Sequence, residues 1–260
     1  MYALMAGNRS LLDDWEPLLD GIRKARNTLN SPMSRGSRFH HQVADLCSQM
    51  KSMSKFSSER TDMCEEAFHL KQASLDLGTS ALDWYGDDPK WQPRFVSYGT
   101  TPPDTAQSGS RDVEYFPDFL TFRHWNFFRA ARMVLQETLL HFDQLNGGSA
   151  ASLASQVSLS VSQRRRCANT IADMANDILN TLPFLYGDVN NTGKMISTRQ
   201  RASRRWPGQT PSASLTIWLL RMIKVSEHTS SPQKDLATKA LYKIGRTMGV
   251  RQALTVAAIK

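Results

Sequence analysis

The sequence predicts an all-α protein, an irregular multi-helix bundle with two long central antiparallel helices. Apolar residues recur at spacings of three and four along much of the 260-residue chain, which is the period of one helix face. Two such segments, residues 117–148 and 151–182, are long enough to form the spine of a domain. No strand-like alternation and no internal repeat competes with this pattern. We therefore expect one helical domain over residues 1–260.

The composition favours a folded chain without a membrane span. Apolar residues make up 40% of the sequence, and no apolar run approaches the ~18 residues of a membrane helix. Residues 1–7 are too short an apolar start for a secretory signal. Cys47, Cys64 and Cys167 are odd in number and widely spaced, which argues against a disulfide framework. Reduced thiols of this kind are typical of an intracellular protein.

The first third of the chain predicts amphipathic helices over residues 11–29, 40–53 and 59–85. The candidate inward-facing side chains of the last two helices are Met50, Met53, Met63, Phe68 and Leu75. Residues 86–112 are rich in proline, glycine, threonine and serine, so we expect a long loop there.

The segment from Pro117 to Gly148 predicts one long helix with large side chains. Asp118 can accept hydrogen bonds from the first free amides, and Pro117 suits a helix start. Gly147 and Gly148 supply a stop. The predicted buried face consists of Phe122, Trp125, Phe128, Leu135, Leu139 and Phe142.

The second long helix is predicted to end shortly before Pro183. Its buried stripe consists of Ile171, Met174, Ala175, Ile178 and Leu182. Residues 186–212 are polar and predict a second, mobile loop. Residues 214–225 are apolar enough for a buried helix.

Near the end of the chain, Ser231 is the predicted N-cap of a further helix, with Pro232 at its first position. Gly245 is expected to allow close helix packing, and Gly249 to adopt a left-handed conformation. Residues 250–259 predict a last short helix.

The net charge of +8 is concentrated in two arginine clusters. Their members are candidate contacts for anions or nucleic acid: Arg164, Arg165, Arg166, Arg199, Arg201, Arg204 and Arg205. The alternative is a solvated surface, because charge alone does not establish binding to nucleic acid. Only Trp206 lies beside the second cluster, so base stacking has little support.

The sequence contains no convincing catalytic or metal-binding motif. His40-His41 and Asp45 have the spacing HHxxxD, but a helix-surface pair explains them better. Asp13-Asp14 and Asp87-Asp88 lack the further acid that completes a diphosphate-binding Mg²⁺ motif. Asn176-Asp177 resembles the start of a second Mg²⁺ motif, but the Ser/Thr and Glu ligands that should follow it are missing. We therefore predict no catalytic residue, no metal ligand and no cofactor, and a helical enzyme is the weakest of the functional alternatives.

Three segments carry motifs that resemble one family. Residues 124–135 have Trp-Asn and then Arg-x-x-Arg before an aliphatic run. Residues 177–187 end a helix at a Pro-aromatic turn, and residues 241–253 contain Ile-Gly, Met-Gly and Gln-Ala. In this order, over roughly 113–257, they resemble the fungal-specific transcription factor domain of binuclear zinc cluster (Zn2Cys6) regulators. The motif residues, for which we expect structural roles, are Trp125, Asn126, Arg129, Arg132, Gly245, Gly249 and Gln252.

The resemblance implies a nuclear, non-enzymatic domain that regulates transcription. Its partners would be proteins of the transcription machinery or a second copy of the chain, with a small effector as a further ligand. The family reads DNA through six closely spaced cysteines that share two Zn²⁺ ions, and three distant cysteines cannot supply these. The chain is expected to correspond to the C-terminal regulatory region of this family alone. It would then be the regulatory portion of a longer factor, the product of a truncated gene model, or a relative that lost its DNA-reading module. The alternative function is a basic nucleic-acid-binding adaptor.

Overall fold

The structure is a computed structural model that describes residues 32–53, 61–80, 91–98, 111–146, 158–197 and 209–258. Several predictions from the sequence lie outside these residues. They concern the helix over residues 11–29, the Asp13-Asp14 and Asp87-Asp88 pairs, and the second arginine cluster.

The described residues are predominantly helical, which confirms the all-α prediction. The helices are α1 Pro32–Met53, α2 Thr61–Ser80, α3 Phe119–Asn146, α4 Val161–Asn180, the single turn α5 Leu182–Leu185, α6 Gln209–Val225, α7 Ser231–Thr247 and α8 Arg251–Ala258. One two-stranded antiparallel sheet joins β1 Arg94–Tyr98 to β2 Arg111–Tyr115. Among the described residues, no helix is both long and apolar enough to cross a membrane.

The chain divides into two compact units. The first unit contains α1, α2, the part of α3 that begins at Ala130, and α4 as far as Ile171. The second unit contains the sheet, α3 as far as Arg129, α4 from Ala172, and α5 to α8. Two compact units can belong to one domain, so the single domain over residues 1–260 stays a prediction.

Helix α3 begins as the sequence predicts. The Asp118 carboxylate accepts a hydrogen bond from the Thr121 amide at 2.7 Å, which satisfies one of the free amides of the first turn. The helix ends at Asn146, and Gly147 and Gly148 lie outside the described residues. Five of the six residues on its predicted face are buried: Phe122, Phe128, Leu135, Leu139 and Phe142. Trp125 is partly exposed, and its indole N–H donates to the Trp91 carbonyl at 2.5 Å.

Helix α4 begins at Val161, ten residues after the predicted start. It carries four of the five residues of the predicted buried stripe, and the fifth, Leu182, lies in α5. Ile171, Ala175 and Ile178 have no exposed surface. In the second unit it runs antiparallel to α3. Asn126 lies 3.2 Å from the Thr181 hydroxyl that follows α4, and Arg129, one turn further along α3, lies 3.7 Å from Asp177, one turn back.

Helices α1 and α2 pack against each other in the first unit. Met50 is buried as predicted, and Ser74 opposite it donates to the Leu70 carbonyl at 2.8 Å. The prediction for Phe68 is wrong, because its side chain is 40% exposed. The ammonium of the buried Lys71 lies 5.0 Å from the centre of the Phe68 ring, so the aromatic face contacts a cation.

The prediction of a loop over residues 86–112 is wrong for β1, which pairs with β2 in the register Val96 to Val113. The sequence signal was weak because the strands do not alternate cleanly. In β2 both Val113 and the neighbouring Glu114 are buried, whereas Phe95 in β1 is 61% exposed. The ordinary rule of one apolar and one polar face therefore fails here.

The prediction of a second loop is only partly right. Residues 186–197 form a tight turn in which the Asn190 side chain accepts from the amides of Thr192 and Lys194 at 3.0 and 2.8 Å. Gly193 has a φ of +79°, and a Cβ added there would lie 2.7 Å from the Tyr115 ring. Residues 198–208 lie outside the described residues, and α6 begins at Gln209, five residues before the predicted start.

Helix α7 begins one residue earlier than predicted. Ser230, not Ser231, is the N-cap, because Ser230 and Gln233 form a reciprocal capping box. The Ser230 amide donates to the Gln233 side chain at 2.8 Å. Pro232 still lies in the first turn, where its missing amide costs no hydrogen bond.

The corner between α7 and α8 confirms the roles predicted for its two glycines. A Cβ on Gly245 would lie 2.5 Å from a methyl carbon of Leu254, so the two helices approach closely there. Gly249 has a φ of +75°, the left-handed conformation that glycine adopts without strain. The Lys224 ammonium donates to the Ala257 carbonyl at 2.5 Å, which places a positive charge at the end of α8.

Candidate functional site

A buried ionic cluster joins β2, α3 and α4 in the second unit. The Arg129 guanidinium lies 2.7 Å from the Glu114 carboxylate and 3.7 Å from that of Asp177. Arg129 and Glu114 are almost fully buried, whereas the Asp177 side chain is 44% exposed. The sequence predicts a structural role for Arg129, and its ion pairs with two carboxylates agree with that role. Glu114 was missed, because a buried acid in a short strand has no periodic signature.

Burial raises the pKa of the Glu114 carboxyl. The charge of the adjacent Arg129 and its hydrogen bond oppose that rise. Arg129 also lies 5.4 Å from the centre of the Trp125 ring. Its Nη1 is buried without a hydrogen-bond partner among the described residues, so the cluster does not satisfy every donor of the guanidinium. These contacts fix the relative positions of two helices and a strand, which is a structural role.

The other motif residues have structural positions or lie at the surface. Asn126 is buried and donates to the Thr181 hydroxyl at 3.2 Å. Arg132 is also buried, but it belongs to the first unit. Gly245 and Gly249 shape the α7–α8 corner, and Gln252 is exposed on α8.

A second ionic centre lies in the first unit, around Asp143 in the last turn of α3. The Asp143 carboxylate is buried, accepts from the Leu159 amide at 2.6 Å, and lies 2.6 Å from Arg164. The Arg164 side chain is 50% exposed. Lys71 is buried nearby and donates to the Ser158 carbonyl at 3.4 Å. Burial lowers the pKa of the Lys71 ammonium, and the charge of Asp143 opposes that effect.

The structure describes one of the two predicted arginine clusters. Arg164, Arg165 and Arg166 lie in the first two turns of α4 with exposed side chains. Arg164 is engaged by Asp143, which leaves Arg165 and Arg166 as the exposed candidates for an anionic partner. The other candidates lie outside the described residues: Arg199, Arg201, Arg204 and Arg205.

The candidate acidic and histidine motifs do not form a metal site among the described residues, where no group of three or more potential ligands converges. Asn176 accepts a hydrogen bond from Gln233 at 2.8 Å, and Asp177 pairs with Arg129. In the HHxxxD motif, which lies on α1, Asp45 is exposed and His41 is partly buried.

Buried Cys47 and Cys167 have pKa values raised to about 11, because burial disfavours the thiolate.

A pocket of about 280 Å³ lies in the second unit, where β2, the end of α4, α5 and α7 meet. Its wall is mostly apolar. The apolar lining residues are Val113, Leu179, Leu182, Pro183, Leu236 and Ala240. Leu236 is 37% exposed, so this side chain lies at the pocket's outer part.

The polar part of the pocket carries two lysines and one aspartate. Lys243 lies 3.6 Å from the Asp188 carboxylate and 3.7 Å from the centre of the Tyr186 ring. Lys239 lies one helical turn earlier on α7 and is exposed. Its side chain makes no hydrogen bond or ion pair with any residue that the structure describes. The pocket therefore has one positive charge in excess.

Tyr186 adds a neutral polar group to the same wall. Its hydroxyl donates to the Ala240 carbonyl at 3.5 Å. Burial raises the pKa of Tyr186 well above its usual value, and the Asp188 charge adds to that rise. Tyr186 thus remains a neutral phenol near neutral pH.

Sequence reasoning missed the pocket's charged residues. Lys239 and Lys243 have the four-residue spacing that places two side chains on one helix face. This spacing is the sequence signal that indicates a shared position for the two lysines on α7. Asp188 follows a Pro-aromatic turn that was recognised, but its approach to α7 depends on how the chain folds back.

Comparisons with known proteins add no identification. The chain matches no family model, and the comparisons with curated proteins and with solved structures also find no match.

Proposed function

We propose that this chain is a non-catalytic helical regulatory domain of the fungal zinc cluster type. In this proposal it controls transcription in the nucleus through contacts with proteins of the transcription machinery or with a second copy of the chain. A small effector bound in the pocket of the second unit would modulate those contacts. Sequence-specific binding to DNA is not part of the proposed activity, because the chain lacks the closely spaced cysteines of a zinc cluster.

The observation that carries the proposal is the convergence of the three family-like segments. Arg129 of the first segment lies 3.7 Å from Asp177 of the second. Lys243 of the third lies 3.7 Å from the Tyr186 ring of the second. Each motif is weak by itself, and the two contacts place motif segments side by side in the second unit. The second segment thus contacts both of the others, which supports a shared architectural role.

A reporter experiment tests this function. The 260-residue chain is fused to an unrelated DNA-binding domain and expressed in a fungal host with a reporter under the matching binding sites. We expect the fusion to raise or lower reporter expression relative to the DNA-binding domain alone. A matched fusion that carries Arg129→Met should lose the effect, because that change disrupts the unit where the motifs meet. A soluble nuclear fusion without any effect on the reporter would contradict the proposal.

A basic nucleic-acid-binding adaptor is the second candidate, and the exposure of Arg165 and Arg166 favours it. Electrostatic binding of this kind weakens steeply as salt rises, with a slope set by the number of phosphate contacts. The double variant Arg165→Gln and Arg166→Gln should reduce that slope in a fluorescence-anisotropy titration with duplex DNA. An unchanged slope, or no binding by the native chain, would reject this candidate.

A further inference from the structure

We infer that the pocket of the second unit binds a small monoanion with an apolar body, such as a medium-chain carboxylate. The inference deepens the proposed regulatory function, since it assigns a chemical class to the effector. It rests on the size of the pocket, the chemistry of its wall and the distribution of charge at its edge.

The size of the pocket selects a small molecule. Its volume of about 280 Å³ lies just below the range of ~300–1,000 Å³ typical of sites for drug-sized ligands. A folded partner would need a surface rather than a pocket of this volume. An eight-carbon chain with one head group is suited to this space.

The wall selects an apolar body. Val113, Leu179 and Leu182 present buried aliphatic side chains, and Ala240 adds a small apolar group on α7. Leu236 extends this surface outwards, where its side chain is 37% exposed. Covering such side chains with an alkyl chain removes apolar area from water, which is the main favourable term in binding.

The charges select an anionic head group. Asp188 already neutralises Lys243, and the Tyr186 ring covers the same ammonium. Lys239 makes no such pair among the described residues and lies one turn away on the same helix. A carboxylate can therefore bind Lys239 without displacing Asp188. A cationic ligand would face two ammonium groups against one carboxylate.

Calorimetric titration of the full chain with four probes tests the ligand class. The probes are octanoate, octan-1-ol, octylammonium and acetate. We expect octanoate to bind most tightly, octan-1-ol to bind more weakly for lack of charge, and acetate for lack of an apolar body. Octylammonium should bind least among the three eight-carbon probes. Equal affinities for octanoate and octylammonium, or no binding of octanoate, would overturn the inference.

Two variants of α7 locate the site. Lys239→Gln keeps most of the side-chain length and removes the charge, and it should weaken octanoate binding at least ~3-fold while leaving octan-1-ol binding unchanged. Lys234→Gln is the matched control, since Lys234 lies on α7 outside the pocket lining. Thermal unfolding followed by circular dichroism checks that both variants remain folded. Equal weakening by the two variants would refute a site at Lys239.

The two proposals can fail separately. An active reporter fusion whose chain binds none of the four probes would overturn the ligand inference and leave the regulatory function in place. Specific octanoate binding by a chain with no reporter effect would establish the site and reject the regulatory function.

Discussion

Helix α3 contributes to two ionic centres that differ in the exposure of their cations. Around Arg129, in the second unit, a cation and an anion are both buried and lie 2.7 Å apart. Around Asp143, in the first unit, a buried anion faces a cation that is 50% exposed. Each centre thus contains an arginine–carboxylate pair, but the Arg164 side chain has access to water and the Arg129 side chain has almost none.

This difference decides what holds each charge in place. Glu114 depends on Arg129, because no water can replace that partner and an unpaired buried charge is costly. Arg129 itself also lies 3.7 Å from the partly exposed Asp177. Asp143 also accepts a short hydrogen bond from the Leu159 amide. Its partner Arg164 can exchange the ion pair for water with little loss. The burial of the partner, more than the distance, therefore sets the energetic role of an ion pair.

The largest expected effect follows from Arg129→Met. This change leaves Glu114 buried opposite an apolar side chain and should lower the free energy of unfolding by about 3–5 kcal/mol at pH 7. The double variant Arg129→Met with Glu114→Met removes both charges and should recover much of that loss. Urea denaturation followed by circular dichroism measures both. A single variant that costs less than the double variant would break the comparison.

The pH dependence of the Arg129→Met variant sharpens the same point. Burial raises the pKa of Glu114, and Arg129 is the main group that opposes the rise. A raised pKa means that the native state favours the protonated acid, so its stabilising contribution is present at low pH and lost as the pH rises. The loss of unfolding free energy in the variant, relative to native protein, should therefore shrink as the pH falls from 7 towards 4.5, the ordinary pKa of a glutamate carboxyl.

Paired denaturation curves at several pH values measure this effect, with native protein as the reference. The double variant lacks this titrating group, so the Glu114-dependent change with pH should be missing from its free energy of unfolding. A single-variant deficit that stays constant from pH 7 to pH 5 would contradict the assignment of the effect to Glu114.

Asp143→Ala should have an intermediate effect. It leaves the Leu159 amide without its acceptor and the buried Lys71 without its nearby anion, and we expect a loss of about 1–3 kcal/mol. Asp143→Asn keeps an acceptor for the amide and should recover part of that loss. The difference between the two variants in urea denaturation isolates the hydrogen bond from the charge. Identical losses would assign the whole effect to charge.

The smallest effect is expected for Arg164→Gln. The side chain is 50% exposed, so losing its ion pair should cost less than about 1 kcal/mol. Arg165→Gln is the matched control on the neighbouring position, which makes no ion pair in the described residues. A loss at Arg164 as large as that of Asp143→Ala would remove the distinction between the two centres.

Much of the helical architecture could be predicted because it depends on local rules. The Asp118 cap and the buried stripe of α4 follow from side-chain chemistry and a 3.6-residue period. The two glycines at the α7–α8 corner were also predictable, since glycine adopts conformations that other residues avoid.

The strands and the site could not be predicted in the same way. The pairing of β1 with β2 joins residues that are distant in sequence, and buried Glu114 hides the alternation that marks a strand. The charge balance of the pocket depends on Asp188 reaching Lys243 across a turn. Neither composition nor helical spacing predicts the distance between Asp188 and Lys243, because the two residues approach each other only when the second unit folds.

The close approach at the α7–α8 corner has an evolutionary consequence. Because a Cβ on Gly245 would lie 2.5 Å from Leu254, a larger residue at position 245 requires a smaller one at position 254. Homologous chains should therefore vary at these two positions together. A paired change at positions 245 and 254 would therefore mark the same helix corner in a distant relative of this protein.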